Sequence, residues 1–167
     1  MKGMLRGFAA LALATVFATS TANAQGVKFG VGGTGMFSLE TGGGSSFGGM
    51  FLVGFGGGPD KMLSFRVDGT VLRDNGVTQL IPTVDVVYTF RSSETSMFHP
   101  YLLAGGGIVH TRFDGEGDTR PMAKAGAGFD YAMSSVTLFA EPTFNLFFYE
   151  GNTSKALQVN VGVKFGK

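Results

Sequence analysis

The chain has 167 residues, 44% of them hydrophobic, with 28 glycines, 17 phenylalanines and no cysteine, and its 13 basic and 12 acidic residues nearly cancel. This balance gives no basic surface for a nucleic-acid partner, and the missing cysteines exclude a disulfide-stapled fold. The apolar content is too high for a disordered Gly-rich chain.

The first segment, MKGMLRGFAALALATVFATSTANAQG, places Lys2 and Arg6 before an apolar run from Phe8 to Ala18 and a small-x-small triplet at Ala22-Asn23-Ala24. That is the order of regions in a cleavable export signal. The run falls short of the ~20 residues that a spanning helix needs. Residues 1–24 are therefore expected to be a signal peptide and residues 25–167 one domain, which keeps 26 glycines and carries 11 basic against 12 acidic side chains. No later stretch approaches ~18 consecutive apolar residues. Strands could still cross a membrane, because their alternating pattern escapes a hydropathy window.

Period-2 alternation recurs along the chain between clusters of turn-forming residues. In VKFGVGGTGMFSLE, Val27, Phe29, Val31, Phe37 and Leu39 share one face, opposite Lys28, Thr34, Ser38 and Glu40. After TGGGSS, the segment FGGMFLVGFG aligns Phe47, Phe51, Val53 and Phe55, and GGPDK turns the chain into MLSFRVDGTVL. There Leu63, Phe65, Val67 and Val71 oppose Ser64, Arg66, Asp68 and Thr70. RDNG contains an Asn-Gly pair suited to a tight hairpin, and QLIPTVDVVYTF follows.

RSSETS leads into FHPYLLAGGGIVHT, whose register is ambiguous because Leu102 and Leu103 are adjacent and glycines blur the faces. RFDGEGDT reads as an acidic loop. PMAKAGAGFDYAM then sets Ala123, Ala125, Ala127, Phe129 and Tyr131 against Lys124, Gly126, Gly128 and Asp130. A Ser134-Ser135 turn starts VTLFAEPTFNLFF, with Val136, Leu138, Ala140, Phe144, Leu146 and Phe148 opposite Thr137, Glu141, Thr143 and Asn145. YEGNTS reads as the last turn, before LQVNVGVKF.

Eight strands and no helix longer than a turn indicate an all-β, eight-stranded antiparallel up-and-down barrel, in which first and last strands pair and leave no edge. Each strand is near or beyond the ~9–11 residues that cross a bilayer at a tilt. A soluble periplasmic lipid-binding barrel would turn its apolar face inward. So many phenylalanines would overfill an eight-stranded interior unless a ligand cavity stayed open, so the apolar face is read as outward and transmembrane. The opposite face carries Lys28, Arg66, Lys124 and Lys164 with Asp68, Asp85, Asp130 and Glu141, four charges of each sign that can neutralise one another in a lumen. Phe29, Phe55, Phe90, Tyr131 and Phe165 are expected near one rim and Phe37, Phe47 and Phe148 near the other, as interfacial girdles.

HPYLLAGGG, AGAGFDY, FAEPTFNLFF and NVGVKF, in that order and spacing, give the chain after Ala24 its resemblance to the small outer-membrane β-barrel domains of Gram-negative bacteria, the OmpA/OmpX-like family. The resemblance implies residence in the outer membrane among lipid and lipopolysaccharide, a monomeric state, and insertion by the barrel-assembly machinery. That machinery reads a last-strand signal of the form polar-x-Gly-x-x-aromatic-x-aromatic, matched here by Asn160, Gly162 and Phe165, with Lys167 where the final aromatic would stand.

Sequence chemistry gives little sign of an enzyme. His99 and His110 are the only histidines, and neither has a neighbouring serine of the kind a lipid A-modifying barrel would use. GFGGGPD and AGGGIV open no helix, which rules out a phosphate loop. DGEGD lacks the spacing of a calcium loop. No cofactor and no metal is expected. The function read from the chain is a structural or envelope-interacting barrel with a sealed, salt-bridged lumen. The alternative is a small pore or a carrier for an apolar ligand, which would need a pocket among Met50, Leu52, Phe139 and Phe147.

Overall fold

The computed structural model describes residues 26–56, 62–91, 96–114 and 116–166. The expected signal peptide, the GGPDK turn, most of RSSETS and Lys167 lie outside the described residues. Eight strands follow one another: β1 (Lys28–Ser38), β2 (Ser45–Phe55), β3 (Leu63–Asp74), β4 (Val77–Thr89), β5 (Phe98–Phe113), β6 (Glu116–Ala132), β7 (Thr137–Tyr149) and β8 (Asn152–Phe165). Each pairs antiparallel with its neighbour, and β1 pairs with β8 from Phe29↔Phe165 to Ser38↔Ala156, so the sheet is a closed barrel.

The expected hairpin at Asn75-Gly76 is present, with Asp74 paired to Val77. Both central residues have positive φ, 43° and 82°, the conformation that a two-residue primed turn demands and that Asn and Gly adopt with least strain. Two other turns are shorter than the sequence suggests. The acidic run is not a loop: β5 continues to Phe113 and β6 starts at Glu116, so Arg112 pairs with Gly117 and Thr111 with Asp118. Polar strands of this kind hold because cross-strand backbone bonds ask nothing of side-chain polarity, and β5 and β6 accordingly run to 16 and 17 residues. YEGNTS likewise contracts to Glu150-Gly151, with Asn152 already paired to Tyr149.

The ambiguous register of β5 is fixed by burial. Tyr101, Leu103 and Val109 point inward, while Leu102 and Ile108 are about half exposed on the outer wall. Outward positions elsewhere follow the alternation, with Val31, Phe51, Val67, Val84, Phe144, Leu157 and Val161 among the exposed apolar side chains. Between the rims no Asp, Glu, Lys or Arg points outward among the described strands; Arg73, Arg112 and Lys155 do so only at the rim farther from the termini. Water disfavours such a belt and hydrocarbon suits it. Rings gather at both ends: Tyr88 packs edge-on against Phe90 and Phe98 tilts onto Phe129 near the termini, while Phe37 meets Phe47 edge-on at the far rim.

The interior is layered. Met36, Leu72, Ile81, Val109, Met122, Phe147 and Ala156 form an apolar tier toward the far end. A polar tier occupies the middle, and two smaller apolar clusters adjoin it: Met50 and Leu52, opposite Thr70 and Asp68, with Phe139, and Val87 with Tyr101 and Leu103. If the outer belt faces hydrocarbon, Val84→Lys should lower unfolding free energy from lipid vesicles by about 2–4 kcal/mol, whereas Thr78→Lys at the far rim should cost about 1 kcal/mol or less. Equilibrium denaturant titration of the two variants measures the difference.

Candidate functional site

The polar tier is assembled by register. Arg66 on β3 lies directly opposite Asp85 on β4, and Asp68 opposite Thr83. On the far wall Glu141 of β7 is opposite Asn160 of β8, which is in turn opposite Thr34 of β1. Arg66, Asp68, Asp85 and Asn160 point inward because neighbours such as Phe65, Val67, Val84, Val86 and Val161 carry outward apolar groups, and Thr34 points inward between two glycines.

The Arg66 guanidinium joins the two walls. It donates through Nε and Nη2 to Asp85 Oδ2 at 3.2 and 2.8 Å, through Nη1 to Glu141 Oε2 at 2.6 Å, and through Nη2 to Glu141 Oε1 at 3.0 Å and Asp68 Oδ2 at 3.1 Å. Lys124 on β6 adds a second cation, with Nζ 2.8 Å from Asp68 Oδ2 and 3.0 Å from Asp85 Oδ2. Thr83 donates to Asp68 Oδ1 at 2.7 Å, the Tyr101 hydroxyl to Glu141 Oε2 at 2.8 Å, and Asn160 Nδ2 to Glu141 Oε1 at 3.2 Å. These carboxylates are almost wholly buried, at 0–2% exposure, so an unpaired charge among them would carry a desolvation cost of several kcal/mol.

An uncharged lattice continues toward the far end. Thr34 donates to Asn160 Oδ1 at 2.7 Å, Gln158 Nε2 to the same oxygen at 2.9 Å and to Thr34 Oγ1 at 3.1 Å, and Asn145 Nδ2 to Gln158 Oε1 at 3.0 Å. The Gln158 and Asn160 carboxamides are each bonded through both oxygen and nitrogen, which fixes their orientations.

The eight charges expected to neutralise one another divide into three groups. Arg66, Lys124, Asp68, Asp85 and Glu141 form the central cluster, two cations with three carboxylates. Lys164 and Asp130 make a separate pair at 2.6 Å, with Lys164 Nζ 4.7 Å from the Tyr101 ring centroid. Lys28 departs from the expectation. It is half-buried, opposite Gly54 at the termini mouth, and has no ion pair among the described residues. At the first position of β1 it lies where water can solvate it, and the acids of the cluster are deeper.

Tyr101 belongs to the network although alternation alone assigns it no role. Its ring lies over Gly128, its direct partner on β6, where an added Cβ would come within 2.5 Å of the ring. A tyrosine opposite a glycine on one face of a hairpin is the signal that could have found it. The apolar pocket that the carrier alternative would need among Met50, Leu52, Phe139 and Phe147 does not form. The first three cluster together, but Phe147 belongs to the apolar tier, eight residues along β7 from Phe139 and on the other side of the polar lattice.

The histidines lie at opposite ends. His110 shares a 2.7 Å hydrogen bond with Thr119 at the far end, and His99 is opposite Asp130, whose carboxylate holds Lys164. Among the described residues no three His, Cys, Asp or Glu side chains converge as a metal site. Asn160 of the assembly-signal pattern is 1% exposed within the lattice, Gly162 packs under Phe139, and Phe165 is 45% exposed beside Phe29.

Arg66→Met leaves three buried carboxylates on one lysine and should cost about 3–5 kcal/mol of unfolding free energy. Arg66→Met combined with Glu141→Gln should cost less than the two single changes added, because the second removes a charge that the first orphans. Denaturant unfolding of the four proteins in a double-mutant cycle measures the coupling.

No protein-family model matches the chain, and no curated protein matches it in sequence. Solved structures do match in shape. The crystal structure of Neisserial surface protein A (NspA) superposes with a TM-score of 0.69 at 17% identity, covering 87% of this chain and 99% of that one. The N-terminal β-barrel domain of Pseudomonas aeruginosa OprF gives 0.56 at 18% identity, covering 83% and 97%. The outer membrane enzyme PagL gives 0.52 at 13% identity, covering 83% and 99%. The chain therefore has the fold of the small eight-stranded outer-membrane barrels.

Proposed function

We propose that this chain is a monomeric integral outer-membrane barrel whose lumen is closed by ion pairs and an apolar tier, and that it serves the envelope structurally or by contact at its surface and not by conduction. The observation that carries the reading is the division of charge. Among the described strands no charged side chain points outward between the rims, while five interlock in the middle of the lumen. Closure of the sheet leaves no strand edge for self-association, which supports a monomer.

The termini face the periplasm in this reading, as they would after export, and the far rim faces outward. Arg73 and Arg112 flank Thr78 in one row across β3, β4 and β5, on the outer wall. With Lys155 they stand where phosphates of outer-leaflet lipopolysaccharide would meet them, and long basic side chains reach such groups from the edge of hydrocarbon. The last-strand pattern at Asn160, Gly162 and Phe165 would be read by the assembly machinery during insertion. A catalytic role has no support in the separation of the two histidines, although PagL shares the fold.

Planar-bilayer recording tests closure: the purified barrel should give no steady unitary conductance, and reproducible open levels would contradict a sealed lumen. Because the sequence has no cysteine, single substitutions report topology cleanly. Thr41→Cys in the far β1–β2 loop should react with a membrane-impermeant maleimide on intact cells, and Ser134→Cys at the termini end should react only after the outer membrane is opened. The reverse pattern would invert the proposed orientation.

A further inference from the structure

Beyond the apolar tier the far end of the barrel opens into a cavity of about 300 Å³. It is blind. Met36, Leu72 and Phe147, all at most 7% exposed, form part of its floor, and they belong to the seven-residue tier that separates it from the polar lattice. At ~30 Å³ per water the space corresponds to roughly ten water molecules, the volume of a small organic molecule. Above the apolar floor the walls are polar, with Ser46, Asp74, Gln79 and Arg120 among them, which suits a ligand with an apolar body and a polar head.

The walls decide the sign of that ligand. Arg120 lines the cavity, but its charge is engaged twice: Nε pairs with Asp118, and the guanidinium stacks 3.8 Å from the Tyr149 ring centroid. Asp74, at the end of β3, also lines the cavity and has no hydrogen-bond or ion-pair partner among the described residues. Among the described residues six carboxylates lie beyond the apolar tier against four basic residues; Arg73 and Arg112 point to the outer wall, and Lys155, which also borders the cavity, alternates with the inward Ser154 and Ala156 and so carries its side chain on the outer face of β8. The uncompensated charge facing the cavity is thus a carboxylate. A lone carboxylate over an apolar floor lacks the oxygen ligands that a hard metal cation takes. It does complement an ammonium group carried on hydrocarbon.

We propose that this mouth binds a small organic ammonium ion, with its apolar body resting on Met36, Leu72 and Phe147 and its charged head on Asp74. Ser46 and Gln79, on the same wall as Asp74, accept the remaining N–H groups through Oγ and Oε1. Size follows from the volume: a chain of about six carbons fills the cavity and a substantially longer one does not. The site ends at the apolar tier, so it captures a ligand without passing it on. It requires neither the proposed orientation nor residence in a particular membrane.

The test uses the whole barrel in phospholipid nanodiscs with ¹³C-methyl methionine, titrated with n-hexylammonium, hexanoate and 1-hexanol. The Met36 methyl should shift saturably with hexylammonium while the Met133 methyl, exposed at the other rim, does not. Hexanoate should bind at least tenfold more weakly. Asp74→Asn should bring hexylammonium down to the level of hexanol, a loss of about tenfold or more, and leave hexanol unchanged. Ser46→Phe should fill the space and abolish both. Equal binding of hexanoate and hexylammonium, an unchanged affinity in Asp74→Asn, or parallel non-saturating shifts at Met36 and Met133 would each overturn the proposal. Failure of these titrations in a barrel that still conducts nothing would leave the sealed lumen standing.

Discussion

A strand immersed in hydrocarbon can satisfy its backbone only against another strand, because no water is present to accept or donate. The seam between β1 and β8 is where this requirement is met. Phe29 through Ser38 pair with Phe165 through Ala156, and without that ladder two edges would lie open in lipid. Closure with eight strands then fixes a narrow interior and a wide exterior. Bulky rings such as Phe51, Phe65 and Phe144 are accommodated outside, and glycines such as Gly69 and Gly128 accept rings laid across them from neighbouring strands.

The interior could have been filled with hydrocarbon side chains throughout, and buried ion pairs are by themselves weak contributors to stability. Their value here is geometric. Arg66 ties β3 to β4 and to β7 across the lumen, and Lys124 ties β6 back to β3 and β4. A slip of one residue in any of these strands would turn a charged group into the outer belt, where it would cost several kcal/mol. The cluster therefore penalises wrong registers strongly, and the Thr34, Asn145, Gln158 and Asn160 lattice extends the same constraint to β1 and β8. The apolar tier beyond it separates this lattice from the far mouth.

Strands whose two faces differ sharply are legible in the amino-acid sequence. β3 and β8 are the clearest: Arg66, Asp68 and Thr70 or Gln158, Asn160 and Lys164 alternate with branched and aromatic residues, and burial follows that alternation. β5 is not legible, because the Gly105–Gly107 run has no side chains to mark a face and the lumen at Leu103 and Val109 is itself apolar. The apolar tier is hidden for the same reason. Its seven residues come from seven strands, and an inward Met36 or Leu72 looks like an error of alternation until the strands are in register. The central ion cluster is partly legible: membership of the inner face can be read from each strand, but the separation of Lys28 from the acids depends on height along the barrel, which alternation does not encode. The extension of β5 and β6 through the acidic run is masked by its polarity, since turn-like composition outside the membrane says little about backbone pairing.

The outward direction of the oily side chains can be read most directly along β8. Single cysteines from Leu157 to Phe165, each carrying a nitroxide, can be compared in lipid vesicles for collision with oxygen and with a water-soluble nickel chelate. High oxygen accessibility at Leu157, Val159, Val161 and Val163, alternating with low accessibility to both reagents at Gln158 and Asn160, is the expected result. Strong nickel collisions at the odd positions, or no period of two, would contradict it.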